Sequence, residues 1–228
     1  MKIAVIGRGK TGEQILNIIA KNELIGPFHS QKKPEDHKEE LKQAQVAIVF
    51  LPGEVNLQLI PLLMDLNLPT VWGSTGFDWP HNINQTLQNK KLSWVYASNF
   101  SFGMFVIKKW LEELHKWQHL FPEKSYSMEE THHIHKKDKP SGTALSWQKW
   151  GQLKDINIVS HREGDIIGDH QLTMKTSTES LSIHHKAHDR KLFAEGAIWS
   201  ARQLIEQKNL PYGFHSFSEL IHLNKDQL

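Results

Sequence analysis

The sequence of 228 residues contains no cysteine, which excludes disulfide bonds, thiolate nucleophiles and metal sites built on Cys. The apolar run at positions 3–6 is too short for a signal-peptide core, and no later stretch approaches the ~20 apolar residues of a membrane helix. The formal net charge is only +2, so no strong field for attracting nucleic acid is expected. These absences favour a cytoplasmic protein with neither a nucleic-acid nor a membrane partner.

Short apolar segments alternate with helix-compatible segments through the first hundred residues. The runs at 3–6 and 46–51 have the continuous apolar character of strands that are buried on both faces. Apolar residues at helical spacing follow each of them. This alternation predicts a doubly wound parallel sheet.

The pattern changes after about Gly103. Residues 105–120 predict a long helix with Trp110, Leu114 and Trp117 directed towards the core. Later segments rich in Thr, Ser and His predict a mixed or antiparallel sheet. The expected fold class is therefore α/β, with a Rossmann-like parallel-sheet domain and a second α+β domain that contains a mixed sheet.

A glycine-rich segment follows the first predicted strand and precedes the first predicted helix. It matches G-x-G-x-x-G, a pattern whose glycines allow the backbone to approach a pyrophosphate at a helix N-terminus. The alternative is a plain tight turn. The residues expected to bind a dinucleotide are Gly7, Gly9, Lys10, Thr11 and Gly12.

The loop after the second predicted strand bears on the choice between NADH and NADPH. NAD-binding folds of this type commonly hold the adenosine ribose with an acidic residue at this point, but no acid occurs here before Glu35. Ser30, Lys32 and Lys33 suit a 2'-phosphate instead, so either cofactor is expected, with NADPH favoured. A solvated basic loop is the alternative interpretation.

The segment 130–144 carries the densest chemistry of the chain. Three imidazoles and a lysine lie within five residues, from His132 to Lys136, and imidazole titrates in the range that suits acid–base catalysis. Ser141 is a candidate N-cap, and Gly142 leaves the backbone open at a helix start whose N–H groups can bind an anion. The alternative is a basic loop before an ordinary capped helix.

Zinc is a further alternative for the same segment, with His132, His133 and His135 as ligands. However, neither an H-E-x-x-H pattern nor a Cys pair is present, and two lysines adjoin the histidines. We therefore expect no metal.

The chain resembles the dihydrodipicolinate reductase family. Members carry E-x-H-H-x-x-K-x-D-x-P-S-G-T-A, and every fixed position is met from Glu130 to Ala144. Further stretches resemble family segments in the same order, at 73–77, 98–101, 162–165 and 185–190. The glycine loop is one residue shorter than is usual in the family, and the stretch between strands two and three is abbreviated.

The resemblance implies a dinucleotide-binding domain formed by residues 1–103 and 199–228. It also implies a substrate-binding domain, residues 104–198, whose sheet builds a homotetramer. His132 takes the role of proton donor, and Lys136 neutralises a substrate carboxylate. The residues implied as substrate contacts are His133, Lys136, Ser141, Gly142 and Thr143. Those implied at the nicotinamide end are Gly73, Ser74, Thr75, Ser98, Asn99 and Phe100.

The implied activity is NAD(P)H-dependent reduction of dihydrodipicolinate (4-hydroxy-tetrahydrodipicolinate) to tetrahydrodipicolinate in lysine and diaminopimelate biosynthesis. The partner is then a small cyclic dicarboxylate substrate. Two alternatives remain open: a catalytically silent dinucleotide-sensing module on the same fold, and a reductase of another small imine or keto acid.

Overall fold

A computed structural model describes residues 1–74, 76–207 and 209–224. The strands in chain order are β1 (Ile3–Ile6), β2 (Leu24–Phe28), β3 (Val46–Val49), β4 (Thr70–Trp72), β5 (Ser93–Tyr96), β6 (Ser125–His132), β7 (Asn157–Arg162), β8 (Gly168–Lys175), β9 (Ser180–Ala187) and β10 (Gly213–Ser216). The α-helices are α1 (Lys10–Ile18), α2 (Lys38–Leu41), α3 (Gly53–Asp65), α4 (Ile83–Asn89), α5 (Phe102–Trp117), α6 (Gly142–Trp150), α7 (Lys191–Glu206) and α8 (Phe217–Leu223).

The chain forms two compact units: the first unit contains Met1–Ser101 and Lys191–Leu228, and the second unit contains Phe102–Arg190. The return to the first unit therefore comes at Lys191 and not at the expected residue 199. The reason is that α7 is one continuous helix whose Ala194, Ala197 and Ala201 all belong to the core of the first unit. Among the described residues, no helix combines the length and apolar character needed to cross a bilayer.

The first unit contains a six-stranded sheet in the order β10-β5-β4-β3-β1-β2, and its strand pairs are parallel. Successive residues of β1 and β3 contribute alternately to two apolar clusters, one on each face, so both strands are buried throughout. The order reverses between β1 and β3, and in such sheets ligands bind at the carboxyl ends of the strands at this switch point. The prediction of a Rossmann-like parallel sheet is confirmed.

The second unit contains a four-stranded sheet in the order β7-β6-β8-β9. The β6–β7 pair is parallel, whereas β6–β8 and β8–β9 are antiparallel, so the predicted mixed sheet is confirmed. Met128, Leu172 and Met174 on one face belong to the same core as residues of α5 and α6. Ser127 and Glu129, which point to the opposite face, are exposed.

The predicted core face of α5 is wrong at two positions. Trp110 and Trp117 are each 56% exposed, while the helix buries Met104, Ile107 and Leu111. The face that contacts the sheet follows the i, i+3, i+7 spacing of these three residues. The two tryptophans instead flank a shallow groove of about 360 Å³ beside β8 and β9.

Candidate active site

The glycine loop after β1 combines close packing with an open helix start. A Cβ on Gly7, whose φ is +109°, would lie 2.1 Å from the carbonyl oxygen of Phe50, and one on Gly12 would lie 2.2 Å from the carbonyl oxygen of Gly7. A Cβ on Gly9 would meet no described atom within 4 Å. Packing thus explains Gly7 and Gly12, whereas Gly9 leaves open space at the start of α1, where amide groups favour a phosphate. These residues fit a dinucleotide diphosphate.

The 73–77 loop begins at the carboxyl end of β4 and contacts the loop after β3. The hydroxyl of Ser74 accepts a hydrogen bond of 3.0 Å from the amide of Leu51. A Cβ on Gly73 would lie 2.1 Å from the ring of Phe50, so no larger residue fits there without movement of that ring. Thr75 lies outside the described residues.

The 98–100 segment follows β5 at the same edge of the sheet. Ser98 is exposed, and Asn99 Oδ1 accepts a hydrogen bond of 2.8 Å from the amide of Ser101. Phe100 is 1% exposed, with its ring 6.1 Å from that of Phe50 and 5.1 Å from that of Phe217. Its side chain therefore belongs to the core of the first unit, and only its backbone is suited to contact a cofactor.

The two lysines of the basic loop after β2 differ in their contacts and exposure. Lys32 Nζ lies 2.7 Å from Glu40 Oε1 and 5.1 Å from the ring centroid of Phe28, so its charge is already paired. Ser30 and Lys33 are exposed. A phosphate at this loop would have to compete with Glu40 for Lys32.

In the second unit, His132 is oriented by a buried carboxylate. Glu130 and His132 are two residues apart on β6, so their side chains share a face of the sheet. Glu130 is fully buried, and one of its oxygens accepts a hydrogen bond from Nδ1 of His132. An ionised carboxylate can only accept, so Nδ1 carries the hydrogen and Nε2 is the ring atom that exchanges a proton with a ligand.

Burial lowers the pKa of His132 below its ordinary value of 6.5, although hydrogen bonding and charge from Glu130 act in the opposite direction. Burial alone would raise the pKa of Glu130. Hydrogen bonds from Arg162, Ser160 and His132 outweigh that effect and hold the pKa of Glu130 below its ordinary value. The site therefore contains an ionised carboxylate beside a histidine that is mainly neutral at pH 7.

Arg162, at the end of β7, pairs with the same carboxylate. Its Nη1 and Nη2 donate hydrogen bonds of 3.1 and 3.0 Å to the two oxygens of Glu130. Its Nε donates to the carbonyl oxygen of Lys136 at 3.2 Å, and Nη2 also donates to that of Asp138. The guanidinium thus holds the loop after β6 as well as Glu130.

The start of α6 joins this network through Ser141. The amide of Ser141 donates to Glu130 Oε1 at 3.2 Å, and its hydroxyl caps the helix by accepting from the amide of Ala144 at 3.2 Å. The predicted N-cap is confirmed. Gly142 is exposed, and a Cβ there would meet no described atom within 4 Å. Its amide already donates a hydrogen bond to the carboxylate of Asp138, which a ligand would have to displace.

His170, on β8, packs edge-to-face against His132 with ring centroids 4.9 Å apart. Its Nε2 lies 3.1 Å from the hydroxyl of Ser141, while its buried Nδ1 has no hydrogen-bond partner among the described atoms. Burial lowers the pKa of His170 to about 3, and the neighbouring His132 adds to the effect. His170 is therefore neutral at pH 7.

The other expected substrate contacts lie on the loop after β6 and on α6. Lys136 Nζ forms an ion pair of 2.9 Å with Asp138, whose side chain is more exposed than that of the lysine. His133 is half-buried, His135 is exposed, and Thr143 is half-buried in the first turn of α6. Lys136 must exchange Asp138 for any substrate carboxylate that it binds.

The zinc alternative receives little support from this geometry. Within the described residues, one buried group, Glu130, His132 and His170, has candidate ligand atoms within 4.8 Å of one another. That group does not contain His133 or His135. The bidentate pairing of Arg162 with Glu130 puts a positive charge where a cation would have to bind, so these residues do not fit a metal.

The sequence alone predicts no role for Glu130, Arg162 or His170. Three relationships point to these residues: Glu130 has the same-face spacing to His132, and it faces His170 in the register of β6 and β8. Arg162 lies beside His132 in the parallel β6–β7 pair. Neither register is visible before the strands are paired.

Comparison with known proteins identifies the family. A family model described as "Dihydrodipicolinate reductase, C-terminus" matches residues 103–218. A 4-hydroxy-tetrahydrodipicolinate reductase of Thermosipho africanus is 31% identical, over 97% of this chain and 98% of that protein. The chain belongs to the dihydrodipicolinate reductase family.

Other members of the dihydrodipicolinate reductase family agree in sequence and fold. The 4-hydroxy-tetrahydrodipicolinate reductase of Bdellovibrio bacteriovorus is 28% identical over 91% of this chain and 92% of that protein. The dipicolinate-bound dihydrodipicolinate reductase from Paenisporosarcina sp. TG-14 is 18% identical with a TM-score of 0.76, and covers 96% of this chain and 98% of its own. That structure shares the fold.

Family membership confirms the predicted class of activity. The chain is an NAD(P)H-dependent oxidoreductase of the dihydrodipicolinate reductase family, which reduces 4-hydroxy-tetrahydrodipicolinate in lysine and diaminopimelate biosynthesis. The substrate is a small dicarboxylate.

Proposed function

We propose that His132 donates the proton and Lys136 holds a substrate carboxylate when this enzyme reduces 4-hydroxy-tetrahydrodipicolinate. The observation that carries the proposal is the hydrogen bond from His132 Nδ1 to the buried carboxylate of Glu130, which leaves Nε2 as the ring atom that can donate a proton. The test is a coupled assay in which the substrate is made in situ and either NADH or NADPH is supplied. Absence of reduction with both cofactors would contradict the proposal.

Two cationic or donor groups suit the two carboxylates of this substrate. Lys136 supplies an ammonium group, and the backbone at Gly142 and Thr143, after the Ser141 cap, supplies amide donors at a helix N-terminus once the substrate displaces Asp138. His133 is the third candidate contact. A bound nicotinamide supplies the hydride, and this chain's residues orient the substrate, neutralise its charge and deliver the proton.

The proposed cofactor contacts are all residues of the first unit. Gly7, Gly9, Lys10, Thr11 and Gly12 form the diphosphate site at the start of α1. Gly73, Ser74, Ser98, Asn99 and the backbone of Phe100 are assigned to the nicotinamide end, together with Thr75, which lies outside the described residues. NADPH is preferred in this proposal, with Ser30, Lys32 and Lys33 at the 2'-phosphate.

The same proposal includes assembly into a homotetramer through the second unit, in the cytoplasm. The exposed face of its sheet and the exposed apolar residues Trp110, Trp117 and Leu181 provide surface for association. Light scattering of the purified protein tests the mass, and a monomer at micromolar concentration would contradict the assembly. Fractionation of cells that express the chain tests the location.

A further inference from the structure

We propose that Glu130 and Arg162 are positioning residues of this reductase: Glu130 sets the orientation of His132, and Arg162 sets that of the loop bearing Lys136. The inference rests on the roles given above to His132 and Lys136. Glu130 and Arg162 are proposed to act through His132 and Lys136, and neither is proposed to contact the substrate.

The first observation is that Glu130 has no exposure to solvent and shares its two oxygens among three elements. One oxygen receives His132 Nδ1 and Arg162 Nη1, and the other receives the amide of Ser141 and Arg162 Nη2. A buried carboxylate is costly unless it is fully paired. Here the pairing fixes the histidine and the start of α6 relative to one another.

The second observation is that Arg162 uses its remaining donors on the loop after β6. Its hydrogen bonds to the carbonyl oxygens of Lys136 and Asp138 tie the backbone on both sides of residue 137. The planar guanidinium provides these bonds and the bidentate pair at once, which a lysine ammonium cannot do. Loss of this geometry would loosen the loop that presents Lys136.

The charged and titratable groups that interact with His132 lie on several elements. Glu130 lies on the same strand, Arg162 on β7, His170 on β8 and Lys136 on the loop after β6. Of these, only Glu130 favours the imidazolium. Removing its charge therefore lowers the pKa of His132 and moves any activity that depends on the imidazolium to lower pH.

The test compares Glu130→Gln with Glu129→Gln, since Glu129 is the adjacent, exposed residue on the opposite face of β6. We expect Glu130→Gln to lower kcat by about 10- to 100-fold, less than the ~10⁴-fold loss known when a catalytic histidine adopts the wrong tautomer. The alkaline limb of kcat/KM should move to lower pH. Nitrogen NMR of the His132 ring should show loss of the dominant Nδ1–H tautomer. Glu129→Gln should change none of these.

The second variant, Arg162→Lys, separates the two parts of the proposal and serves if Glu130→Gln fails to fold. It keeps the positive charge, so the Nδ1–H tautomer of His132 should persist. It loses the bonds to the loop, so the inhibition constant of dipicolinate should rise by about tenfold, the loss expected of one charged hydrogen bond. An unchanged inhibition constant would overturn the role of Arg162.

A double variant distinguishes failure of this inference from failure of the proposed function. If Glu130 acts through His132, Glu130→Gln should cost no more than about threefold further in the His132→Gln background. Fully additive losses would overturn the role of Glu130. If His132→Gln itself is almost fully active, the proton-donor role fails. In that case the tautomer of His132 in the wild type still tests the role of Glu130. An Nδ1–H tautomer would support it, and an Nε2–H tautomer would contradict it.

Discussion

Arg162 donates hydrogen bonds of 3.1 and 3.0 Å to the two carboxylate oxygens of Glu130, and the same guanidinium holds carbonyl groups of the loop between β6 and α6. Both side chains are almost entirely buried. Such a pair is expensive to desolvate, so its strength depends on the further hydrogen bonds that satisfy its remaining atoms. The segment 130–144 is therefore anchored by a buried ion pair.

Replacing His132 by Gln should lower kcat by about 10²- to 10⁴-fold, because a positioned general acid typically contributes that much. Cofactor affinity should stay nearly unchanged, since the assigned cofactor residues lie in the first unit. Steady-state kinetics measures kcat, and a fluorescence titration measures the affinity for NADPH. His135→Gln, at an exposed position, is the control. A loss in kcat of less than about fivefold would reject the proton-donor role.

The pH dependence should show one alkaline limb due to His132. In the proposed mechanism the imidazolium of His132 is the proton donor, and burial lowers its pKa below 6.5. The value of kcat/KM should therefore be level at low pH and fall as the pH rises through this lowered pKa. Two bound carboxylates favour the imidazolium, so the limb of kcat should lie at higher pH than that of kcat/KM. Profiles that rise through the same range would contradict this assignment.

Lys136→Ala should reduce kcat/KM by about 10- to 150-fold, since a charged hydrogen bond contributes roughly 1.5–3 kcal/mol. The ion pair with Asp138 is exchanged on binding, so the loss should lie towards the lower end. Inhibition by dipicolinate should weaken in parallel. Lys137→Ala is the matched control at an exposed neighbour. Unaltered dipicolinate binding in Lys136→Ala would show that Lys136 does not contact a carboxylate.

NADPH should be used at least as well as NADH, and its advantage should shrink as ionic strength rises. Changing Lys32 and Lys33 together to Ala should raise the KM for NADPH by about tenfold and leave that for NADH nearly unchanged. Lys42→Ala, which removes a lysine paired with Glu39, is the control. A strong NADH preference that the double change does not affect would place the 2'-phosphate elsewhere.

His170 should make the protein less stable in mild acid. The unfolded chain binds a proton near pH 6.5, whereas the folded chain does so only near about 3, so stability is lost as the pH falls between these values. The loss at pH 5 amounts to about 2 kcal/mol. The free energy of unfolding, measured in urea, should change less between pH 7 and pH 5 for His170→Gln than for the wild type. An equal difference would contradict neutral burial of His170.

The parts of the fold that could be predicted are those whose burial is visible as a local pattern of apolar residues. β1 and β3 are buried on both faces, so their residues form uninterrupted apolar runs. β10, Gly213–Ser216, has no such run and is a strand only because it pairs with β5. The helical spacing of Trp110 and Trp117 predicts a core position, but spacing alone does not determine which face of a helix contacts the sheet.

The candidate site shows the same division. The Ser141 cap was predictable, because an N-cap depends on neighbouring residues. The roles of Glu130 and Arg162 were not, because a buried carboxylate on β6 breaks the expected polar and apolar alternation and is tolerated only through its partner on β7. That pairing depends on strand register, which tertiary structure determines.

The insertion of the second unit between β5 and α7 has a consequence for the order of synthesis. β10 pairs in register with β5, Gly213 opposite Ser93, so the ribosome must deliver the whole of the second unit before the first sheet can be completed. The second unit is one uninterrupted stretch, with β8 and β9 joined by a short connection. Contacts between residues that are near in sequence form faster than contacts between distant ones. The inserted unit can therefore fold on the nascent chain before β10 is available to pair with β5.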